Sequence, residues 1–168
     1  MNTIDQKDKT DEKNDKEIVR CRKASYQLLA RREHSAQELG GKLARRFSTE
    51  IIELILAELK RDNLLDDRRF AVVFITDLLR RTPCGLRLVR RKLAERGVGE
   101  ADIDAALDEL KPDEDQLLAQ AAREKLAKLI SYPREVAARR LLSHLNRRGF
   151  PRGPAQSITL ELLEDWPE

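Results

Sequence analysis

A short phrase recurs along the chain. Lys42-Leu43-Ala44-Arg45-Arg46 returns as Lys92-Leu93-Ala94-Glu95-Arg96, and more loosely as His144-Leu145-Asn146-Arg147-Arg148. The central leucines stand 50 and 52 residues apart, and the upstream pair Leu28-Leu29 returns 50 residues later as Leu78-Leu79. Each copy leads into an apolar pattern of helical period: Ile51, Ile52, Ile55 and Leu59; Ile103, Ala106, Leu107 and Leu110; Ile158, Leu162 and Leu163. Chance likeness among Leu/Arg-rich helices would not keep order, spacing and flanking turns together. A period of about 50 residues implies three copies of one supersecondary unit.

Each unit reads as three helices. In the first, a helix over Ile18–Ala30 is followed by Ser35, with Glu38 three residues on. That is a capping box, in which each side chain would satisfy a free backbone N–H at the helix start. Ser48 or Thr49 opens the third helix, and Asp62-Asn63 is the turn. In the second unit Asp66 or Asp67 caps a helix to Arg81, which Thr82-Pro83-Cys84-Gly85 ends. Gly97 stops the next helix in the left-handed conformation. Gly99-Glu100 opens the last, which ends before Pro112. In the third unit a helix over Asp113–Ile130 precedes the turn Ser131-Tyr132-Pro133. Gly149 ends the second helix, and Pro151, Gly153 and Pro154 are expected to delay the third. The expected organisation is a disordered tail at 1–17 and units at 18–65, 66–111 and 112–168. Such small units shield their apolar faces poorly alone and gain by stacking. The fold expected is therefore all-α, an elongated tandem array of three three-helix repeats. Its radius of gyration should exceed the roughly 15 Å of a compact domain this long.

Composition agrees. Aromatics are 4% and charged residues 38% of the 168 residues, which favours helices over a sandwich or barrel. The tail holds six acidic and four basic residues with only Met1 and Ile4 apolar, too little to offset ordering entropy. No apolar run is long enough to span a membrane, and no secretory leader is visible. Cys21 and Cys84 lie far apart, which suits a reducing cytoplasm. The net charge of +3 hides a basic middle, since residues 20–111 carry 20 basic and 15 acidic side chains.

The basic residues concentrate on the second helix of each unit. Residues 79–96 carry seven, against Glu95 alone, and residues 139–152 carry five with no acid. Leu86, Val89 and Leu93 are expected to face inward there, and Arg87 and Arg91 to share an outer stripe. A charge run is ordinarily a solvated face, but this one recurs at one place in every unit. Nucleic-acid phosphates or an acidic protein groove could meet such a strip. Arginine predominates, and its planar fork suits bidentate recognition. Few aromatics interleave with it, so base-specific reading is not expected. On charge and helical phase, the contact residues expected are Arg87, Arg90, Arg91, Arg139, Arg147 and Arg148.

No chemistry-bearing constellation stands out. Gly40-Gly41 is an isolated pair inside a helical pattern rather than a phosphate loop. His34 and His144 lack ligand-spaced partners and read as surface or capping residues. Asp66-Asp67 reads as a helix start rather than an acid/base pair. Cys84 lies near arginines that could lower its pKa, but it has no base or resolving partner. Neither catalysis, a metal site nor a cofactor is expected.

The same stretches carry a resemblance. Leu28-Leu29-Ala30-Arg31-Arg32-Glu33-His34-Ser35 with Glu38-Leu39, and Leu64-Leu65-Asp66-Asp67-Arg68-Arg69-Phe70-Ala71, are its most specific parts. With Gly85 through Leu93-Ala94-Glu95-Arg96-Gly97-Val98, and Arg147-Arg148-Gly149-Phe150, the chain resembles the RecX family of bacterial recombinase regulators over about residues 20–164. It departs from the family at Gly40-Gly41, at Phe47, where the unit-ending glycine usually sits, and in the Pro151–Pro154 turn. The resemblance implies a monomeric, cytoplasmic, non-enzymatic modulator. It would bind the RecA filament along its groove, against the single-stranded DNA within it, with free DNA a further candidate ligand. It would suppress ATP hydrolysis, strand exchange and filament growth, and so regulate recombination and DNA repair. A direct nucleic-acid-binding module and a scaffold for acidic peptides are the alternatives.

Overall fold

The computed structural model describes residues 3–164 and Trp166, with side chains from Asn14 onward. Among these residues it contains nine α-helices and no strand: α1 (Thr3–Leu29), α2 (Ala36–Leu43), α3 (Thr49–Arg61), α4 (Asp67–Arg81), α5 (Leu86–Ala94), α6 (Glu100–Leu110), α7 (Glu114–Leu126), α8 (Arg134–Arg147) and α9 (Arg152–Leu162). They pack as three successive triplets, α1–α3, α4–α6 and α7–α9. Each triplet closes round its own core, with Leu39, Leu43 and Ile55 in the first, Ile75, Leu93 and Ile103 in the second, and Leu141, Leu145 and Phe150 in the third. The repeated leucines 43, 93 and 145 are all buried, so the recurring phrase marks one packing position in each unit. The accessible surface is 11335 Å², against about 8,500 Å² for a compact protein of this mass. Three small cores, one to a triplet, leave more surface exposed than a single core would.

Local chemistry sets the boundaries. Asp66 accepts a hydrogen bond from the Arg69 amide at 3.0 Å and Asp113 from the Gln116 amide at 2.9 Å, each satisfying a free N–H of a first turn. Gly97 and Gly149 end α5 and α8 with φ of +74° and +84°, a backbone region open to glycine at no steric cost. Glu58 ties α3 to α1 through a two-pronged contact with Arg22 at 2.9–3.1 Å.

Several expectations need correction. The helix expected to start at Ile18 starts at Thr3; Met1 and Asn2 lie outside the described residues. Lys, Glu and Gln favour helix, and extending an existing helix avoids the cost of nucleation. The capping box is half made. Ser35 accepts from the Glu38 amide at 3.1 Å, but the Glu38 carboxylate turns to Arg32 and Arg96 instead. The third helix of unit three is not delayed: Pro151 is its N-cap, and Pro154 sits in the first turn, where its missing N–H is no loss. His34 is buried rather than at the surface. Cys84 is also buried, and burial pushes its thiol pKa up despite the opposing pull of Arg148 and Lys92.

Candidate interaction flank of the second helices

The second helices are joined end to end, twice, in the same way. At the first joint the Ser35 hydroxyl donates to the Arg96 carbonyl at 2.6 Å, and the Ala36 amide donates to the Asp67 carboxylate at 2.8 Å. At the second, the Gly85 amide donates to the Arg148 carbonyl at 3.0 Å, and the Leu86 amide donates to Glu114 at 2.8 Å. In each case the start of one unit's second helix meets the end of the next unit's second helix. In each, the first residue of the next unit's first helix, Asp67 or Glu114, supplies a carboxylate. Free amides with partial positive charge thus meet free carbonyls and a carboxylate. The acidic pairs Asp66-Asp67 and Asp113-Glu114 were legible as helix starts. Their second members, which cap a helix of the preceding unit, were missed; the recurrence of the pair after the same helix turn is the signal that would have found them.

Because the joint recurs, equivalent positions recur on the second helices, filled by different side chains. One stripe of positions four apart reads Gln37, Gly41 and Arg45 on α2 and just beyond; Arg87, Arg91 and Glu95 on α5 and its C-cap; and Arg139, Ser143 and Arg147 on α8. Arg87, Arg91, Arg139 and Arg147 are all exposed. Arg91 lies 3.7 Å from Glu95, and Arg147 donates to Ser143 at 2.7 Å. Among the described residues Arg87 and Arg139 have no carboxylate partner.

Two of the expected contact residues are engaged inside the fold. Arg90 sits between Glu100 and Asp104, 2.6 Å from the latter, and these carboxylates raise its pKa further. Arg148 donates to the Pro83 carbonyl at 3.4 Å while its own carbonyl holds Gly85. On α5 the inward set is Leu88, Val89 and Leu93, with Leu86 only half-buried. Leu88 packs against Gly149 across the second joint, a contact that helical periodicity alone does not reveal. Among the described residues no group of three or more His, Cys, Asp and Glu is placed to hold a metal ion, and no helix is long and apolar enough to cross a membrane.

These features define a class: a helical-repeat protein whose three-helix units are linked by one recurring joint between their second helices. Comparison with known proteins gives the family. Residues 21–59 match the model of the RecX first three-helix domain, and residues 66–107 that of the RecX second three-helix domain. The chain is 30% identical over 162 residues to Regulatory protein RecX of Corynebacterium efficiens, covering 92% of this chain and 77% of that protein. It is 38% identical over 136 residues to Regulatory protein RecX of Prosthecochloris aestuarii, covering 80% and 88%. The chain therefore belongs to the RecX family of regulatory proteins. The fold is shared with the crystal structure of RecX from Lactobacillus salivarius, at a TM-score of 0.75 and 17% identity over 88% of this chain and 97% of that one. A second RecX regulatory-protein structure superposes at a TM-score of 0.76 with 22% identity, over 89% and 73%.

Proposed function

We propose that this protein is a monomeric, non-enzymatic modulator of RecA in the cytoplasm. It lies along the groove of the RecA–single-stranded DNA filament and inhibits ATP hydrolysis, strand exchange and filament growth, and so regulates recombination and DNA repair. The observation that carries this reading is the recurring joint. It sets the second helices in one file, and α5 and α8 each carry two exposed arginines on the same stripe. A filament offers one surface many times, and a ligand with repeated contacts gains from each tethered engagement through effective concentration. Arg87, Arg91, Arg139 and Arg147 are assigned to contact. Arg90 and Arg148 are assigned to holding the flank in shape.

The test is a titration of RecA ATPase on single-stranded DNA. Inhibition is expected well below one molecule per RecA subunit. Charge reversal at Arg87 and Arg91 together should move the inhibitory concentration up by at least about tenfold, the scale of losing charge-assisted contacts. Absence of inhibition by the unaltered protein at equimolar ratio would reject the reading.

A further inference from the structure

A cleft of about 360 Å³ opens at the first joint, lined from both units. Its floor is one face of α4, with Phe70, Val73, Phe74 and Leu78. The repeat does not require this floor. Val73 is 47% exposed and packs into none of the three cores. Counted from the N-caps Asp66 and Asp113, the same places on α7 hold Leu117, Gln120, Ala121 and Lys125. Two of those are polar and a third is small. The apolar floor is therefore a property of unit two, and an exposed apolar surface inside a concavity marks a contact site.

The rim is charged, and every acid on it is already held. Glu38 lies 2.9 Å from Arg32 and 3.3 Å from Arg96, and Glu33 lies 2.8 Å from Arg69. Asp77 lies 3.1 Å from Arg80 and 3.8 Å from Arg81. Five guanidinium groups thus surround three carboxylates. Arg32 and Arg81 are exposed, and each guanidinium carries more donors than one carboxylate uses. The cleft therefore offers an apolar seat below and unspent positive charge above.

We propose that this cleft docks a segment of a partner protein in which one bulky apolar side chain, flanked by Asp or Glu, enters between the first and second units. An apolar anchor seated in a pocket, with polar groups round it, concentrates binding energy at protein interfaces. Charges opposite to the rim select the segment. A nucleobase is the poorer occupant. It stacks on an open ring face, but Phe70 is buried, and the Arg96 guanidinium lies over Phe74, 4.5 Å from the ring centre. The two units share no core, so an occupant touching both also braces the first joint. The cleft involves none of Arg87, Arg91, Arg139 and Arg147, and the site is independent of the filament reading.

The test is methyl NMR of the full chain titrated with the peptide Asp-Asp-Phe-Asp-Asp, blocked at both ends, up to about 2 mM. The Val73 and Leu78 methyl signals are expected to shift and saturate. Exchange of the Ala36 amide at the first joint should slow, while that of Gly85 at the second holds. Replacing the peptide's Phe by Gly, or its Asp residues by Lys, should weaken binding at least about fivefold. In the protein, Val73→Trp fills the cleft from an exposed position and Arg81→Glu reverses its rim; each should weaken binding as much. Arg123→Glu, on the third unit, makes the same change in net charge as Arg81→Glu and should leave affinity within about twofold. The peptide changes make the same comparison without touching the fold. No shift at Val73 or Leu78 by the end of the titration would overturn the proposal. Equal binding of the Gly peptide would reduce the site to charge alone, and equal binding of the Lys peptide would remove the acidic partner; either sinks it. Oligothymidylate that shifts the same methyls at lower concentration than the peptide would assign the cleft to nucleic acid instead.

Discussion

The two joints do the same job with different materials. The first, between units one and two, is built from side chains. Ser35 reaches the Arg96 carbonyl, Asp67 takes the Ala36 amide and lies 3.3 Å from Lys60, and Arg69 grips Glu33 at 2.8 Å. The second, between units two and three, is built from close main chain. A β-carbon on Gly85 would overlap the Gly149 carbonyl, and one on Gly149 would fall 2.5 Å from the Leu88 amide nitrogen. Both keep a helix-start amide on a carboxylate, Asp67 or Glu114; the first adds side-chain ion pairs, and the second adds close main-chain contact between Gly85 and Gly149. A repeat can thus keep its geometry while the chemistry of its interface is exchanged.

The sharpest break falls on the main-chain joint. Gly149→Val combines a positive φ with a collision against the backbone of Leu88. It should cost more than about 2 kcal/mol and separate unit three from unit two. Urea denaturation, with scattering to follow the relative placement of the units, would check both effects. A variant as stable as the parent would show that the second joint does not depend on close approach.

Next comes Ser35→Ala. It removes the cap on the Glu38 amide and leaves the Arg96 carbonyl without its 2.6 Å donor. The expected cost is about 1–2 kcal/mol, and Ser35→Gly should cost less, because glycine is tolerated at an N-cap and stands at the equivalent position 85. If neither substitution costs more than about 0.5 kcal/mol, the hydroxyl contributes nothing specific to the joint.

The ranking of these sites also shows which parts of the fold were legible. Caps and stops such as Asp66, Asp113, Gly97 and Gly149 act within a few residues of themselves, and the sequence pattern located them. The repeat of Leu43, Leu93 and Leu145 exposed the three cores for the same reason. The joints were not legible, because Ser35 and Arg96 are 61 residues apart and nothing local announces their pairing. The same distance effect hid the fate of Arg90 and Arg148. Both have the helical phase of exposed residues, and both are claimed by partners from other elements. His34 was misplaced because polar residues next to a cap are usually solvated, and here the ring is buried with the Arg32 carbonyl as its partner.

A smaller effect separates the joints by their response to salt. The Arg69–Glu33 pair is partly exposed on both sides, so Glu33→Gln should cost less than about 1 kcal/mol. Its effect should shrink further at 1 M salt, where charges are screened within about 3 Å. Amide hydrogen exchange at Ala36 should quicken with salt while exchange at Gly85 holds, since Gly85 donates to a neutral carbonyl. Equal salt response at both amides would show that the Asp67 carboxylate adds nothing charge-specific to the first joint.

The last contrast concerns acid. Burial first, and then the neighbouring cation Arg32, lower the pKa of His34 beside the first joint, against the raising influence of the Arg32 carbonyl and Glu38. A histidine depressed in the folded state is protonated first in the unfolded chain. Stability is therefore full above the unfolded value of about 6.5 and falls as pH drops below it. His144 on α8 is depressed as well, by burial first and then by nearby cations, and contributes with the same sign. His34→Gln should remove its share of the slope, and the share that goes should appear at the first joint, as slower acid-induced exchange at Ala36 than in the parent. Were the pH dependence between 6.5 and 5 unchanged in that variant, the acid sensitivity would belong to His144 and the carboxylates, and the first joint would be no more acid-labile than the second.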